Sequence, residues 1–138
     1  MKEKYFIDSS FFFALVDKRN LAHETSKELF QKLPSAYITS NYIFAESLSL
    51  MTKRLGKEVG ILFAKSLQSS GQIDIISADA KQEHRALKMY EEYLDKDFDY
   101  IDSVSFTVCK DFSIRKVLTF DHHFTQMGFT CLASLADI

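Results

Sequence analysis

The 138-residue sequence contains no tryptophan, a single proline and only four glycines. With 46% hydrophobic and 26% charged residues it is unlike a disordered chain, and it is long enough to bury a sizeable core. No internal repeat, low-complexity tract or Pro/Gly/Ser-rich linker divides it. These absences predict one compact domain over residues 1–138, and the thirteen phenylalanines predict a phenylalanine-rich core.

A strongly basic charge and a long apolar run are also missing. The net charge is −2, which argues against a simple nucleic-acid groove binder but leaves open an enzyme that reaches phosphates through bound cations. The start of the chain, MKEKYFIDSS, passes from charged residues directly into a strand-like run, so neither a signal peptide nor a membrane-spanning helix is expected. Cys109 and Cys131 lack CxxC spacing and make no secreted disulfide framework, which favours free thiols in a reducing cytoplasm.

Short apolar segments alternate along the chain with longer amphipathic ones. Strands are predicted at residues 4–8, 36–39, 73–76 and 116–119, with a candidate fifth at 129–132. Six helices are predicted between them. Three begin at a capping residue: the first at Ser9 or Ser10, the third at Ser40 or Asn41 and ending at Gly56, and the fifth at Asp79 and ending at about Leu94. The second covers residues 21–33 and stops at Pro34, the fourth covers 57–69, and the sixth covers 101–112. This alternation predicts an α/β fold with a mainly parallel sheet of four to five strands, covered by helices on both faces.

Four acidic residues fall where such a fold concentrates its chemistry, at the carboxyl ends of the strands. Asp8 ends the first strand, and Asp121 lies two residues beyond the fourth. Glu46 falls in the second turn of the helix after the second strand, and Asp102 lies near the start of the helix before the fourth. Two like charges about 4 Å apart repel by about 4 kcal/mol at an effective dielectric near 20, so such a cluster requires protons or cations.

The chemistry of these four side chains indicates which cation would suit them. Carboxylate oxygens alone favour Mg²⁺ or Mn²⁺ over Zn²⁺. A cation held in this way can activate a water and stabilise charge on a phosphate, so the pattern predicts metal-dependent phosphodiester hydrolysis. Taken singly, each acid has a simpler interpretation: Asp8 as a helix cap, Asp102 as a first-turn acid favoured by the helix dipole, Glu46 as a solvent-facing residue and Asp121 as a turn cap.

Several segments, in this order, resemble a known family. They are IDSSFFFALV, TSNYIFAESLSLM, FDYIDSVSFTVCKDFSIRKVLTFDHHF and the trailing MGF, and together they are similar to PIN-domain nucleases. The nearest likeness is to the VapC-type toxins of bacterial and archaeal toxin–antitoxin pairs or their PIN relatives, from about Tyr5 to Leu132. The resemblance implies a three-layer α/β/α PIN-like domain with an acidic pocket that binds Mg²⁺ or Mn²⁺ and cuts RNA.

Carried over residue by residue, the resemblance implies site roles for eight positions. The catalytic and metal-binding acids would be Asp8, Glu46, Asp102 and Asp121, beside the hydroxyls of Ser9, Ser10 and Thr119. Many relatives carry a further aspartate where this chain has His123, which puts a fifth acidic ligand in doubt. We expect His123 to line the pocket without binding metal and His122 to face solvent.

Other charged and aromatic residues have two interpretations each. Asp97 and Asp99 are more readily explained as solvated loop acids than as pocket residues. The candidate phosphate contacts, for which a solvated face is the default, are Lys53, Arg54, Lys57, Arg115 and Lys116. His23 and His84 are expected on helix surfaces, and His84 belongs to a stripe with Leu87, Tyr90 and Leu94. Phe11, Phe12 and Phe13 are expected in the core or at a subunit contact, with Phe13 partly exposed.

The leading hypothesis is an endoribonuclease dependent on Mg²⁺ or Mn²⁺. If the chain is the toxin of a type II pair, a small antitoxin partner is expected to occlude the pocket. The resemblance also implies a homodimer, and no membrane association is expected. The alternative is a non-catalytic PIN-like module that binds RNA or protein. A phospho-acceptor signalling domain is less well supported, since it would want an acid pair where this chain has Asp8-Ser9-Ser10.

Overall fold

The computed structural model describes residues 3–33 and 36–138, and its centre is a five-stranded sheet. The strands are β1 (Lys4–Ile7), β2 (Ala36–Ser40), β3 (Ile73–Ile76), β4 (Lys116–Leu118) and β5 (Thr130–Leu132). They lie in the order β3-β2-β1-β4-β5, and every neighbouring pair is parallel. The predicted α/β class and the parallel sheet are confirmed, and the candidate fifth strand forms one edge of the sheet.

Seven α-helices connect or follow the strands in the described part of the chain. They are α1 (Ser9–Val16), α2 (His23–Lys32), α3 (Asn41–Leu55), α4 (Lys57–Ser69), α5 (Ala80–Glu92), α6 (Tyr100–Asp111) and α7 (His123–Gln126), before a 3₁₀ turn at Leu135–Asp137. The predicted start of α2 at residue 21 is two residues early, because the Asn20 side chain accepts a hydrogen bond from the Ala22 amide and holds a turn there. Pro34, predicted to stop α2, lies outside the described residues.

The helices form layers on the two faces of the sheet. Crossovers between parallel strands are right-handed, so the helices of the β1–β2 and β2–β3 connections cover one face and those of the β3–β4 connection cover the other. The packing agrees, since α3 contacts α1 and α4 while α5 contacts α6. The strand order reverses between β1 and β4, and the carboxyl ends of these two strands therefore border the crevice where such sheets bind ligands.

Phenylalanine rings fill much of the core, as predicted. Phe106 of α6 meets Phe98 and Phe124 edge to face, with ring centroids 5.2 and 5.1 Å apart. Eight consecutive α6 residues, 102–109, are buried, and small side chains such as Ser103 and Ser105 allow this close approach. The expectation that Phe13 is partly exposed was wrong: its ring is buried, and the Arg54 guanidinium lies 5.5 Å from its centroid.

The predicted apolar stripe of α5 does not face the core. Its members Leu87, Tyr90 and Leu94 are exposed, and His84 is exposed as expected. The buried positions are Gln82 and Ala86. Gln82 Nε2 and the Arg85 guanidinium both donate to the Asp111 carboxylate of α6, and these polar contacts turn a different side of α5 inward.

The structure also bears on His23, on the two cysteines and on the presence of membrane-spanning helices. His23 is half-buried rather than on the surface, because its Nδ1 lies 2.9 Å from the Ala14 carbonyl oxygen. Cys109 and Cys131 are both free thiols. In residues 3–33 and 36–138, no helix is long and apolar enough to cross a membrane.

Candidate metal centre and active site

Asp8 follows β1 directly and is 4% exposed. It occupies the N-cap position of α1 in an extended conformation, yet its side chain makes no cap hydrogen bond. Its Oδ2 instead accepts hydrogen bonds from Thr119 Oγ1 at 2.9 Å and Ser10 Oγ at 3.2 Å. The prediction that Ser9 or Ser10 caps α1 was therefore wrong, because the helix begins at Ser9 and both hydroxyls contact acids across the crevice.

The two hydroxyls beside Asp8 also fix the segment after β4. Thr119 Oγ1 accepts a hydrogen bond from the Asp121 amide at 2.9 Å, and Ser10 Oγ accepts one from the Phe120 amide at 3.0 Å. Because each hydroxyl bonds both Asp8 and this segment, the ends of β1 and β4 are held together. The arrangement places Asp121 beside Asp8 although 112 residues separate them in the sequence.

Glu46 reaches the same crevice from α3. This helix begins at Asn41 and is capped by Ser40, whose Oγ accepts a hydrogen bond from the Ile43 amide. One turn further on, the half-buried Glu46 carboxylate accepts a hydrogen bond from Ser9 Oγ through its Oε1. The contact orients Glu46 inward, which removes its interpretation as a solvent-facing residue.

Asp102 lies in the first turn of α6, where it contacts the residue that caps this helix and lies near another acid of the crevice. Its amide donates to Asp99 Oδ1 at 2.9 Å, and its own Oδ2 accepts from the Asp99 amide at 3.1 Å, which forms a reciprocal capping box. The residue is nevertheless 8% exposed, and its carboxylate lies within 4.8 Å of ligand-type atoms of Asp121 and His123. Asp102 is therefore a first-turn acid, as its simpler interpretation has it, and its carboxylate also lies beside Asp121 and His123.

His123 lies among three carboxylates. Its Nδ1 is 2.8 Å from Asp121 Oδ1 and 3.3 Å from Asp102 Oδ2, and its Nε2 is 3.2 Å from Asp97 Oδ1. The ligand-type atoms of Asp102, Asp121 and His123 all lie within 4.8 Å of one another. His122, in contrast, has a 70% exposed side chain. The structure thus places His123 in the pocket and His122 at the surface.

Burial and mutual repulsion make the carboxyl groups resist ionisation. Burial raises the pKa of Asp8 to about 6, and Glu46 and Asp121 add to the shift. Burial likewise raises the pKa of Asp102 to about 7, together with Asp99, Asp8 and Asp121, and it raises the pKa of Glu46. A proton or a positive charge nearby would therefore stabilise this group of carboxyls.

The family follows from a comparison of the whole chain. The PIN domain family matches residues 5–130. The chain belongs to the PIN domain family. A curated relative, the 23S rRNA-specific endonuclease VapC20 of Mycobacterium tuberculosis, is 27% identical over 124 residues, which cover 90% of this chain and 94% of that protein.

Solved structures agree with this PIN fold. The crystal structure of Mycobacterium tuberculosis VapC20, described as a Sarcin-Ricin loop cleaving toxin, matches with a TM-score of 0.86 and 26% identity, covering 91% of this chain and 95% of that one. VapBC2 from Rickettsia felis, bound to a promoter DNA fragment, matches with a TM-score of 0.68 and 16% identity over 94% of this chain and 97% of that one. FitAcB from Neisseria gonorrhoeae gives a TM-score of 0.64 and 16% identity over 93% and 96%. The last two likenesses show the fold alone.

The donor set of this PIN domain suits a hard divalent cation. Asp102 and Asp121 supply carboxylate oxygens, which Mg²⁺ and Mn²⁺ prefer, and their ligand atoms lie within 4.8 Å of each other and of a His123 ring nitrogen. Burial raises the pKa of Asp8 and that of Asp102, so a nearby positive charge would favour their ionised forms. A cation between Asp8, Glu46, Asp102 and Asp121 would supply that charge, with the imidazole of His123 at its side.

The predicted phosphate contacts of the PIN domain divide between two ends of the sheet. Lys53 lines a groove with Glu46, and Arg54 lines a second groove with Ser10, so both flank the acids. Lys57 is exposed at the start of α4. Arg115 and Lys116 lie at the amino end of β4, away from the carboxyl-end acids, and Lys116 Nζ pairs with Glu3 at 2.8 Å, so their positions favour the default interpretation as surface residues.

Two loop acids contribute more than the sequence interpretation allowed. Asp99 caps α6 through Asp102, and Asp97, although exposed, contacts the imidazole of His123. The D-x-x-D spacing from Asp99 to Asp102 resembles a capping box and could have revealed the first contact. No sequence pattern predicts the contact between Asp97 and His123, because it depends on the path of the loop before α6.

Proposed function

We propose that this PIN domain is an endoribonuclease that hydrolyses RNA phosphodiester bonds with Mg²⁺ or Mn²⁺. The observation that carries the proposal is the convergence of Asp8, Glu46, Asp102 and Asp121, from four separate segments, at the crevice between β1 and β4. The likeness to VapC20, a 23S rRNA-specific endonuclease, over 90% of the chain supports the ribonuclease activity.

Asp8, Asp102 and Asp121 are proposed to bind the cation directly or through water, and Glu46 to bind it or to orient a water. When bound, the cation lowers the pKa of a water and stabilises negative charge on the phosphate. The chain's own residues hold the ligands in place: Thr119 and Ser10 hydrogen-bond the Asp8 carboxylate, and Ser9 bonds that of Glu46.

No thiol nucleophile takes part in this proposal. Cys109 is fully buried in α6, and burial raises the pKa of its thiol well above the ordinary value. A neutral, inaccessible thiol is a poor nucleophile. Water attack aided by the carboxylates is therefore the simpler chemistry.

The substrate and partners are proposed from the relatives. VapC20 acts on 23S rRNA, and its crystal structure is described as that of a Sarcin-Ricin loop cleaving toxin. We therefore propose an exposed loop of 23S rRNA as the first substrate to test. Solved neighbours include a toxin–antitoxin complex from Klebsiella pneumoniae and VapBC from Salmonella typhimurium, which supports an antitoxin partner. We further propose a cytoplasmic homodimer, which the family resemblance implies.

Cleavage of intact ribosomes and of a synthetic rRNA hairpin, with Mg²⁺, Mn²⁺ or EDTA, tests the proposal. Asp8→Asn and Asp102→Asn are expected to lower the rate at least 100-fold, since each removes a carboxylate from the centre. Asparagine keeps a side-chain oxygen that can accept from the Asp99 amide, so Asp102→Asn can retain the capping box at the start of α6. Asp74→Asn is the matched control, because Asp74 is exposed on β3.

Two outcomes would contradict this function. Equal rates for the wild type and Asp8→Asn would remove the acids from the mechanism. RNA binding without cleavage under any metal condition would favour the alternative, a non-catalytic PIN-like module that binds RNA or protein.

A further inference from the structure

A largely apolar pocket opens beside the acidic centre. It has a volume of about 360 Å³, within the roughly 300–1,000 Å³ of ordinary ligand sites. Its lining includes Ser10, Phe13, Leu21, Leu50, Arg54 and Phe120. Ser10 belongs to both places, because its hydroxyl also donates to the Asp8 carboxylate. The pocket, called here the Phe120 pocket, is therefore continuous with the proposed reacting centre.

Phe120 gives this pocket a fixed aromatic surface. Its ring stacks on the buried Phe11 ring, with centroids 5.7 Å apart and planes 14° from parallel, yet 38% of the residue remains exposed. Its amide donates to Ser10 Oγ, and it lies between Thr119 and Asp121 in the sequence. The exposed ring is thus held one residue from a proposed metal ligand.

Arg54 adds a positive charge to a lining that is largely apolar apart from Ser10 and Asn20. Its guanidinium lies over the Phe13 ring at 5.5 Å from the centroid, which fixes the head group at the pocket wall. Leu21, fully exposed on the loop before α2, forms another part of the wall. A flat apolar surface next to a cation is complementary to a nucleobase and its phosphate.

We propose that the Phe120 pocket binds the nucleobase next to the scissile phosphate of a single-stranded RNA, with the base stacked on Phe120 and a flanking phosphate paired with Arg54. This subsite rests on the proposed function. A phosphate held at Asp8 must have its neighbouring nucleotide close by, and Ser10 links the two places. That continuity favours RNA over a peptide as the occupant.

The absence of tryptophan from the chain allows a direct test. Phe120→Trp places a single indole in the pocket, and stacking on a base quenches indole emission. Phe112→Trp is the matched control, because Phe112 is 37% exposed and lines a groove with Lys4 and Lys116 at the opposite end of the sheet. Both substitutions are made in Asp102→Asn protein, so that an eight-nucleotide single-stranded RNA stays intact during titration.

We expect the RNA to quench the indole at position 120 and to leave that at position 112 unchanged. An abasic ribose-phosphate oligomer of the same length should not quench either. Phe120→Leu should weaken RNA binding, followed by anisotropy of a labelled oligonucleotide, by about 5- to 150-fold, the range for loss of one base–aromatic stack. A shift in KM with little change in kcat would show the same role in cleavage.

Three results would overturn the subsite. They are RNA binding without quenching at position 120, equal quenching by the abasic oligomer, and no RNA binding at all. Quenching by a protein partner but not by RNA would assign the pocket to protein docking instead. Failure of the proposed function is distinguishable, because a wild-type protein that never cleaves RNA can still show base-dependent quenching at position 120.

Discussion

The imidazole Nδ1 of His123 lies 2.8 Å from Asp121 Oδ1, inside the acidic crevice where a cation would also be favoured. Burial opposes protonation of this imidazole, but Asp121, Asp102 and Asp97 outweigh it and raise the pKa of His123. The protonated ring therefore neutralises part of the carboxylate charge. In this chain a side chain and a metal ion would share that task.

Removing the imidazole should make the protein more dependent on metal. We expect His123→Asn to lower the stability of the metal-free protein by roughly 1 kcal/mol at pH 6, because Asp121 then loses the protonated imidazole that lies 2.8 Å from its Oδ1. Addition of Mn²⁺ should raise the melting temperature of this variant more than that of the wild type. Thermal unfolding with EDTA and with Mn²⁺ measures both effects.

His122→Asn is the control for that experiment, since its side chain is 70% exposed and 3.9 Å from Asp121 Oδ1. It should leave the melting temperature unchanged in EDTA. Identical curves for His123→Asn and the wild type in EDTA would show that the imidazole does not neutralise the crevice.

The metal-free protein should lose stability as the pH rises. Folding raises the pKa of Asp8 from 3.8 to about 6 and that of Asp102 from 3.8 to about 7, mainly through burial. A raised pKa contributes stability that is present below about pH 4 and lost as pH rises through the folded value. Asp8 alone predicts a loss of roughly 1–2 kcal/mol between pH 5 and pH 8, measured by urea unfolding in EDTA.

Asp8→Asn separates this effect from general changes with pH. The variant has no carboxyl to ionise at this position, so its stability should change less between pH 5 and pH 8. It should also be more stable than the wild type at pH 8 without metal. A wild type that is more stable at pH 8 than at pH 5 in EDTA would contradict the assignment of a destabilised carboxylate cluster.

Thr119 should matter through its hydroxyl rather than its size. Its Oγ1 donates to Asp8 Oδ2 and accepts from the Asp121 amide, so Thr119→Val leaves both groups without this partner. Loss of a hydrogen bond that orients a metal ligand typically costs 10- to 100-fold in metal affinity or activity. Thr119→Ser keeps the hydroxyl and should retain most activity in an RNA cleavage assay, whereas equal losses in both variants would indicate a packing role.

The fold and the positions of the four acids could be predicted because they depend on element order. Alternating strands and helices specify a parallel sheet, and the carboxyl-end rule then brings Asp8 and Asp121 together without any knowledge of side-chain contacts. The hydroxyl roles of Ser9, Ser10 and Thr119 needed the family resemblance. The assignment of the four acids to metal binding stays a prediction, as do the roles of these hydroxyls.

The remaining contacts depend on features that leave no periodic signal. His123 enters the crevice on α7, a helix of four residues, which is too short to show a repeat of 3.6. Asp97 meets it only because of the path of one loop. On α5 the apolar pattern of Leu87 and Tyr90 was misleading, since contacts with Asp111 decided which side faces inward.

Lys53 and Lys116 offer a matched test of which end of the sheet meets RNA. Lys53 lines a groove with Glu46, whereas Lys116 pairs with Glu3 at the amino end of β4. Lys53→Gln should weaken binding of a single-stranded RNA by up to about fivefold at moderate salt. It should also make the slope of log K against log salt shallower by about 0.7, the value for one phosphate contact on a single strand. Lys116→Gln should leave both the affinity and the slope unchanged. A shallower slope for Lys116→Gln alone would place the RNA at the amino ends of the strands, away from the acids, and would contradict cleavage by them.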